Sequence, residues 1–181
     1  GETLVLRPDF TPSIARCVAK YYKDELLPIR LCYVGNTFIN SVSYRGKLKE
    51  TTQLGVELIN DATTNGDAEI LALTIECLLA SGLTEFQVEI GHVDLYQGFI
   101  EEAGFSEEEA YRFRSLCNSK NIFGVEEMVD AKEMPAGLKE VLRKLPDLFG
   151  TKEILTFAKE RSNHEKVHHA IERLEKLYET L

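Results

Sequence analysis

Thr51-Thr52-Gln53-Leu54-Gly55-Val56-Glu57-Leu58-Ile59 decides how this chain is read. Side chains alternate across an extended strand, so Leu54, Val56 and Leu58 share one face while Gln53, Gly55 and Glu57 share the other. The first set reads as a core face. On the second, an amide and a carboxylate flank a glycine that leaves space above the sheet. Asp9 and Thr11 repeat the idea, an acid and a hydroxyl close together at the end of an extended stretch. The four side chains offer two carboxylates, one amide and one hydroxyl, a set that suits a cationic amine and an imidazole N–H. The same pattern also fits a solvated sheet face, since antiparallel sheets often have a wet side. Asp9 also fits a plain turn residue after Pro8.

Outward from this strand, residues 28–40 are rich in β-branched and aromatic side chains and predict a long partner strand. Tyr44-Arg45-Gly46-Lys47 has the composition of the hairpin tip between them, and Lys49 adds to its basic cluster. Upstream, residues 3–6 predict a short strand. Thr11-Pro12 predicts an N-cap followed by proline at the first helical position. The helix then runs to about Lys23, with Ile14, Cys17, Val18 and Tyr21 on one face. Downstream, an apolar helix begins at Asp67 and stops at Ser81-Gly82, where the glycine signals a C-cap. Residues 86–93 predict another strand, with Val88, Ile90 and His92 on one side.

After Asp94 the pattern turns helical over residues 95–103, 107–117, 136–145, 151–160 and 165–181. Gly104, Asn118, Pro135, Pro146 and Ser162-Asn163 punctuate these stretches. An α+β architecture follows: an antiparallel-sheet unit over residues 1–95, then a helical module over residues 96–181. The chain opens directly on an extended stretch and closes inside helical periodicity, so a fragment of a longer core is expected.

The 181 residues are 44% hydrophobic and 28% charged, ordinary for a globular protein able to build a core without staples. The net charge of −9 argues against a general polyanion binder, because neutralising phosphates takes clustered Lys and Arg; no nucleic-acid partner is expected. No apolar run approaches the ~20 residues of a membrane span and no signal peptide is evident, so a cytoplasmic protein is the default.

Cys17, Cys32, Cys77 and Cys117 are scattered in apolar settings and read as small buried thiols in a reducing compartment. Ser106 before Glu107-Glu108-Glu109 reads as an N-cap with a favourable helix-dipole charge. His164 and His168 have the i, i+4 spacing of a metal pair, but with His169 they lie among Glu and Lys and read as a solvated helix face. No metal, cofactor, Walker, dinucleotide or nucleophile-elbow motif is present.

Leu6-Arg7-Pro8-Asp9-Phe10-Thr11, the strand around residues 31–38 and Gln53-Leu54-Gly55-Val56-Glu57 occur in the order and spacing of the class II histidyl-tRNA synthetase core, which the chain resembles. Asp67-Ala68-Glu69-Ile70 and Val88-Glu89-Ile90-Gly91 follow in register. The resemblance covers residues 3–93 well and the helical remainder loosely. It implies a class II synthetase-like antiparallel sheet flanked by helices, then a helical insertion module. It also implies that the positions of Asp9, Thr11, Gln53 and Glu57 hold histidine. Asp9, Thr11 and Gln53 would meet the α-amino group, with Glu57 toward the imidazole.

One departure matters most. The synthetases carry Phe-Arg-x-Glu where this chain has Phe38-Ile39-Asn40-Ser41. In that family the arginine clamps the ATP α-phosphate and the amino-acid carboxylate, and isoleucine can neutralise neither charge. Losing such a clamp costs on the order of several kcal/mol of barrier. A kept pocket and a lost clamp resemble the regulatory subunits of ATP phosphoribosyltransferase, inert synthetase paralogues of histidine biosynthesis. The resemblance implies a short-form catalytic subunit as partner in a hetero-octamer, and histidine as the feedback effector. A synthetase core fragment that still aminoacylates, and a scaffold with a vestigial pocket, are the competing expectations.

Overall fold

The computed structural model describes residues 4–40 and 48–181. Packing divides the chain between Thr74 and Ile75 into two compact units. The division expected after residue 95 lies 21 residues further on.

In the first unit, α1 (Thr11–Tyr21) precedes the antiparallel pair β1 (Ile29–Phe38) and β2 (Glu50–Ile59). The pairing runs in unbroken register from Ile29 opposite Ile59 to Phe38 opposite Glu50. The hairpin tip expected at residues 44–47, with Arg45 and Lys47, lies outside the described residues. Helix α2 (Thr64–Ala80) follows, and its Glu69 takes a bidentate ion pair from Arg30 of β1, at 2.5 and 2.6 Å. The expected Thr11 N-cap is not formed. Phe10 occupies the cap position, Thr11 is the first helical residue, and its hydroxyl is engaged by Glu57 instead. Of the predicted α1 face, Ile14 and Val18 turn inward, whereas Cys17 and Tyr21 are exposed.

Two expectations on the sheet fail. Residues 4–6 form no strand among the described residues; next to them the Phe38 N–H donates to the Arg7 carbonyl, and a strand needs a row of such bonds. The face read as core is open at Leu54, 65% exposed, and at Val34 opposite it, 71% exposed, and only partly covered at Val56 and Leu58. The opposite face, bearing Tyr33, Gly35 and Gln53, is the more covered one, because Phe10 and α1 lie over it.

The second unit begins with the end of α2, which stops at Gly82. That glycine has φ +91°, and the Leu83 N–H reaches back to the Leu78 carbonyl at 3.2 Å. Residues 86–93 form no strand, because no described segment pairs with them. Then come α3 (Val93–Glu102), α4 (Glu107–Asn118), α5 (Ile122–Asp130) and α6 (Ala136–Lys144). A 3-10 turn (Leu145–Asp147), α7 (Lys152–Lys159) and α8 (Glu165–Thr180) complete the unit. Its core is closed: Phe99, Phe113, Val125, Val129, Leu138, Val141, Leu142 and Ile171 are all essentially without solvent contact. At the α3–α8 crossing, a Cβ on Gly98 would lie 2.6 Å from Val167 Cγ2, so glycine lets these helices close.

Helix α4 opens with a reciprocal capping box. The Ser106 hydroxyl accepts from the Glu109 N–H, and Glu109 Oε2 accepts from the Ser106 N–H at 2.7 Å. Lys132 Nζ also donates to Glu109 Oε2 at 2.7 Å. Lys132, then the Ser106 amide and hydroxyl, hold the Glu109 carboxyl at about 2, below its ordinary 4.5. A depressed folded-state pKa stabilises above the unfolded value and is lost as pH falls through the folded one. The difference in Tm between wild type and Lys132→Met is therefore expected to hold at pH 6 and shrink between pH 4.5 and 2. A difference independent of pH would refute the coupling.

The cysteines correct their expectation. Cys17, Cys32 and Cys77 are exposed, since the faces carrying them are uncovered among the described residues, and only Cys117 is half-buried. Burial pushes the Cys117 thiol up to about 11. Thiolate is the reactive form. Alkylation at pH 8 followed by peptide mapping is expected to label Cys17 well before Cys117; equal rates would contradict that burial.

Candidate functional site

The register of the pair sets the site. Leu31 stands opposite Glu57, Tyr33 opposite Gly55, and Gly35 opposite Gln53, so these six residues share one face. Helix α1 begins over the same face, and this brings residues from distant parts of the unit together. The Thr11 hydroxyl donates to Glu57 Oε1 at 2.6 Å. Asp9 Oδ1 accepts from the Thr11 N–H at 3.1 Å, so Asp9 does serve as a turn residue while also placing a carboxylate at the site. Gln53 Nε2 donates to the Tyr33 hydroxyl at 3.2 Å. All four side chains singled out in the sequence thus lie in one neighbourhood, within the first unit.

Tyr33 is the residue that sequence reasoning missed. Its ring lies on Gly55: a Cβ there would sit 2.1 Å from Tyr33 Cζ. The gap that Gly55 was expected to leave for a ligand is therefore filled by a phenol. Phe10 stacks on Tyr33 with ring centroids 4.6 Å apart and itself rests on Gly35, while the Arg7 guanidinium lies over Phe10. Partial loss of water pushes the Tyr33 pKa up, and the Glu57 and Asp9 carboxylates add to the shift. Beside Thr11 and Glu57 opens an apolar groove of about 320 Å³, walled by Ile14, Val18 and Ile59.

Ile39 follows β1, and its N–H donates to the Lys49 carbonyl at 2.9 Å, extending the ladder by one step. Strand alternation places it on the Tyr33 face. The side chain is aliphatic and 59% exposed, and brings no charge to that face.

The histidines take other roles. His92 caps α3, its Nδ1 accepting from the Asp94 N–H at 3.2 Å. His164 is the residue preceding α8; its Nε2 lies 3.5 Å from Glu101 and its Nδ1 is buried without a partner. His168 Nε2 lies 2.8 Å from the Ser162 carbonyl, so the expected solvated face holds for His169 alone. Among the described residues, no group of three or more His, Cys, Asp or Glu side chains is placed to hold a metal ion.

Comparison with known proteins places the chain in a family. The sequence model described as histidyl-tRNA synthetase matches residues 1–181. The chain belongs to the histidyl-tRNA synthetase family. Within that family it is similar to proteins named ATP phosphoribosyltransferase regulatory subunit. One from Acetivibrio thermocellus is 43% identical over 155 residues, covering 86% of this chain and 37% of the relative. Another, from Ruminiclostridium cellulolyticum, is 38% identical over 181 residues, all of this chain and 43% of the relative. A crystal structure described as an ATP phosphoribosyltransferase regulatory subunit/histidyl-tRNA synthetase from Bacillus halodurans superposes with a TM-score of 0.86 at 39% identity. It is covered over 47% of its length by the whole of this chain. The chain therefore spans less than half the length of these relatives. The α+β, class II synthetase-like fold expected from the sequence is the fold it has.

Proposed function

We propose that the chain is part of a non-catalytic regulatory subunit of ATP phosphoribosyltransferase, acting at the first step of histidine biosynthesis in the cytoplasm. In this proposal Asp9, Thr11, Gln53 and Glu57 hold histidine as a feedback effector. A short-form catalytic subunit is the partner, and the assembly is a hetero-octamer. The observation that carries the proposal is the pairing of a convergent polar site with Ile39. Thr11 and Glu57 meet across 46 residues of sequence, while the position where synthetases keep their nucleotide-clamping arginine is aliphatic. The names of the relatives support the same branch. No helix among the described residues is long and apolar enough to cross a membrane.

A protein that binds histidine without activating it can turn occupancy into a change of assembly state. Linkage requires only that histidine bind two states with different affinity. A coupling of ~1–3 kcal/mol gives 5–150-fold regulation. The proposal is tested by titration calorimetry and pyrophosphate exchange on the full-length protein. Histidine binding without histidine-dependent exchange is expected. Exchange would reveal an active synthetase, and a folded protein silent to millimolar histidine would leave a scaffold.

A further inference from the structure

At the site Asp9, Thr11, Gln53 and Glu57 each have an internal partner. Thr11 gives its hydroxyl to Glu57, Asp9 holds the Thr11 amide, and Gln53 gives its amide to Tyr33. The Tyr33 ring lies on Gly55, midway between Gln53 and Glu57 along β2, and is held there by the Phe10 stack and the Gln53 bond. A small ligand spanning Gln53 and Glu57 needs that same space. Two groups cannot share it, because a mere methyl at Gly55 would already be driven into the ring.

The geometry points to Tyr33 as a plug: its phenol lies where a ligand spanning Gln53 and Glu57 would sit, and it swings off Gly55 to admit a cationic amine carrying a flat ring. This inference rests on the proposed histidine site and adds to it a selection rule. The phenol is neutral and takes a neutral hydrogen bond from Gln53, so a ligand that displaces it must offer the site more than a neutral hydrogen bond. An ammonium beside Asp9, with a ring N–H toward Glu57, does so, since charge-assisted bonds are about twice as strong as neutral ones. A neutral or anionic amino-acid analogue gains no such advantage. The ligand's ring then takes the position of the phenol, on the glycine surface beside Phe10. Histidine fits both requirements, and its methyl ester keeps both; N-acetylhistidine, which lacks the ammonium, loses one.

A plug and a wall make opposite predictions for removal of the ring. Histidine is titrated calorimetrically into full-length wild type, Tyr33→Phe and Tyr33→Ala, each first checked for native circular dichroism. If Tyr33 is a plug, Tyr33→Phe frees Gln53 and binds histidine roughly two- to tenfold tighter, the worth of one neutral hydrogen bond. Tyr33→Ala binds at least as tightly as wild type. If either variant binds tenfold more weakly while remaining folded, Tyr33 is a wall or a direct contact and the plug is overturned, though the histidine site stands. If Tyr33→Ala is unfolded, Tyr33→Phe decides alone. If no protein binds histidine, the site assignment falls and the plug with it. A second readout is the 19F resonance of Tyr33 in 3-fluorotyrosine-labelled protein, identified by its loss in Tyr33→Phe. It is expected to shift on saturation with histidine and to stay in place with N-acetylhistidine; no shift at saturating histidine overturns the movement.

Discussion

Glu57→Ala is expected to weaken histidine binding by about 10- to 100-fold, the loss of a charge-assisted hydrogen bond of ~1.5–3 kcal/mol. Glu57 is the acid that Thr11 reaches at 2.6 Å, and it stands on the same sheet face as Gln53 and Tyr33. Removing it takes away the anion on the imidazole side of the site and leaves the Thr11 hydroxyl, which is exposed, to water. The exposure of Thr11 keeps the cost in folding small, so the effect reads out in affinity. Glu57→Gln separates charge from geometry: an amide oxygen still accepts from Thr11 but carries no charge. The charge-bearing role therefore predicts that Glu57→Gln binds nearly as poorly as Glu57→Ala, with an unchanged melting curve. Affinity close to wild type in Glu57→Ala would remove Glu57 from the site.

Phe113→Ala is expected to be the most damaging single change in the helical unit. The ring is fully buried, packs against Phe105 at 5.3 Å between centroids, and lies 6.4 Å from Tyr96. Phe105 in turn lies under Lys132, which anchors the α4 capping box through Glu109. Truncating a buried phenylalanine costs ~3–5 kcal/mol, the transfer term plus the cavity left behind. That is a large share of the ~5–15 kcal/mol by which domains are stable. Urea unfolding followed by circular dichroism is expected to show a midpoint well below wild type; a fall of under about 1 kcal/mol would show that the cavity collapses.

Much of this was legible in the sequence, and the misses have physical causes. The β2 alternation placed Gln53, Gly55 and Glu57 on one face, which the register bears out. Period-two patterning cannot say which face is covered, however. Exposure of Leu54 and Val34 depends on what lies over them, and coverage of Tyr33 depends on Phe10, at the head of α1. Tyr33 itself was invisible because its partner, Gly55, is two strands' worth of sequence away; only the register pairs them. Helix α5 was also missed. Asn121 is a good cap, accepting from the Gly124 N–H at 3.0 Å, and Ile122, Val125 and Val129 keep helical spacing. Gly124 reads as a breaker, but a Cβ there would lie 2.7 Å from Leu116, so it serves close packing instead. The strand expected at residues 86–93 had the right alternation and no described neighbour to pair with.

Sensing without charging is tested most directly by reconstitution. The full-length protein is mixed with a short-form ATP phosphoribosyltransferase catalytic subunit, and phosphoribosyl transfer is followed with and without histidine. Transfer is expected to depend on the added subunit and to fall with histidine, while the Glu57→Ala complex stays active and insensitive to histidine. A rate unchanged by adding the subunit, or inhibition by histidine that survives Glu57→Ala undiminished, would contradict a regulatory subunit that senses histidine at this site.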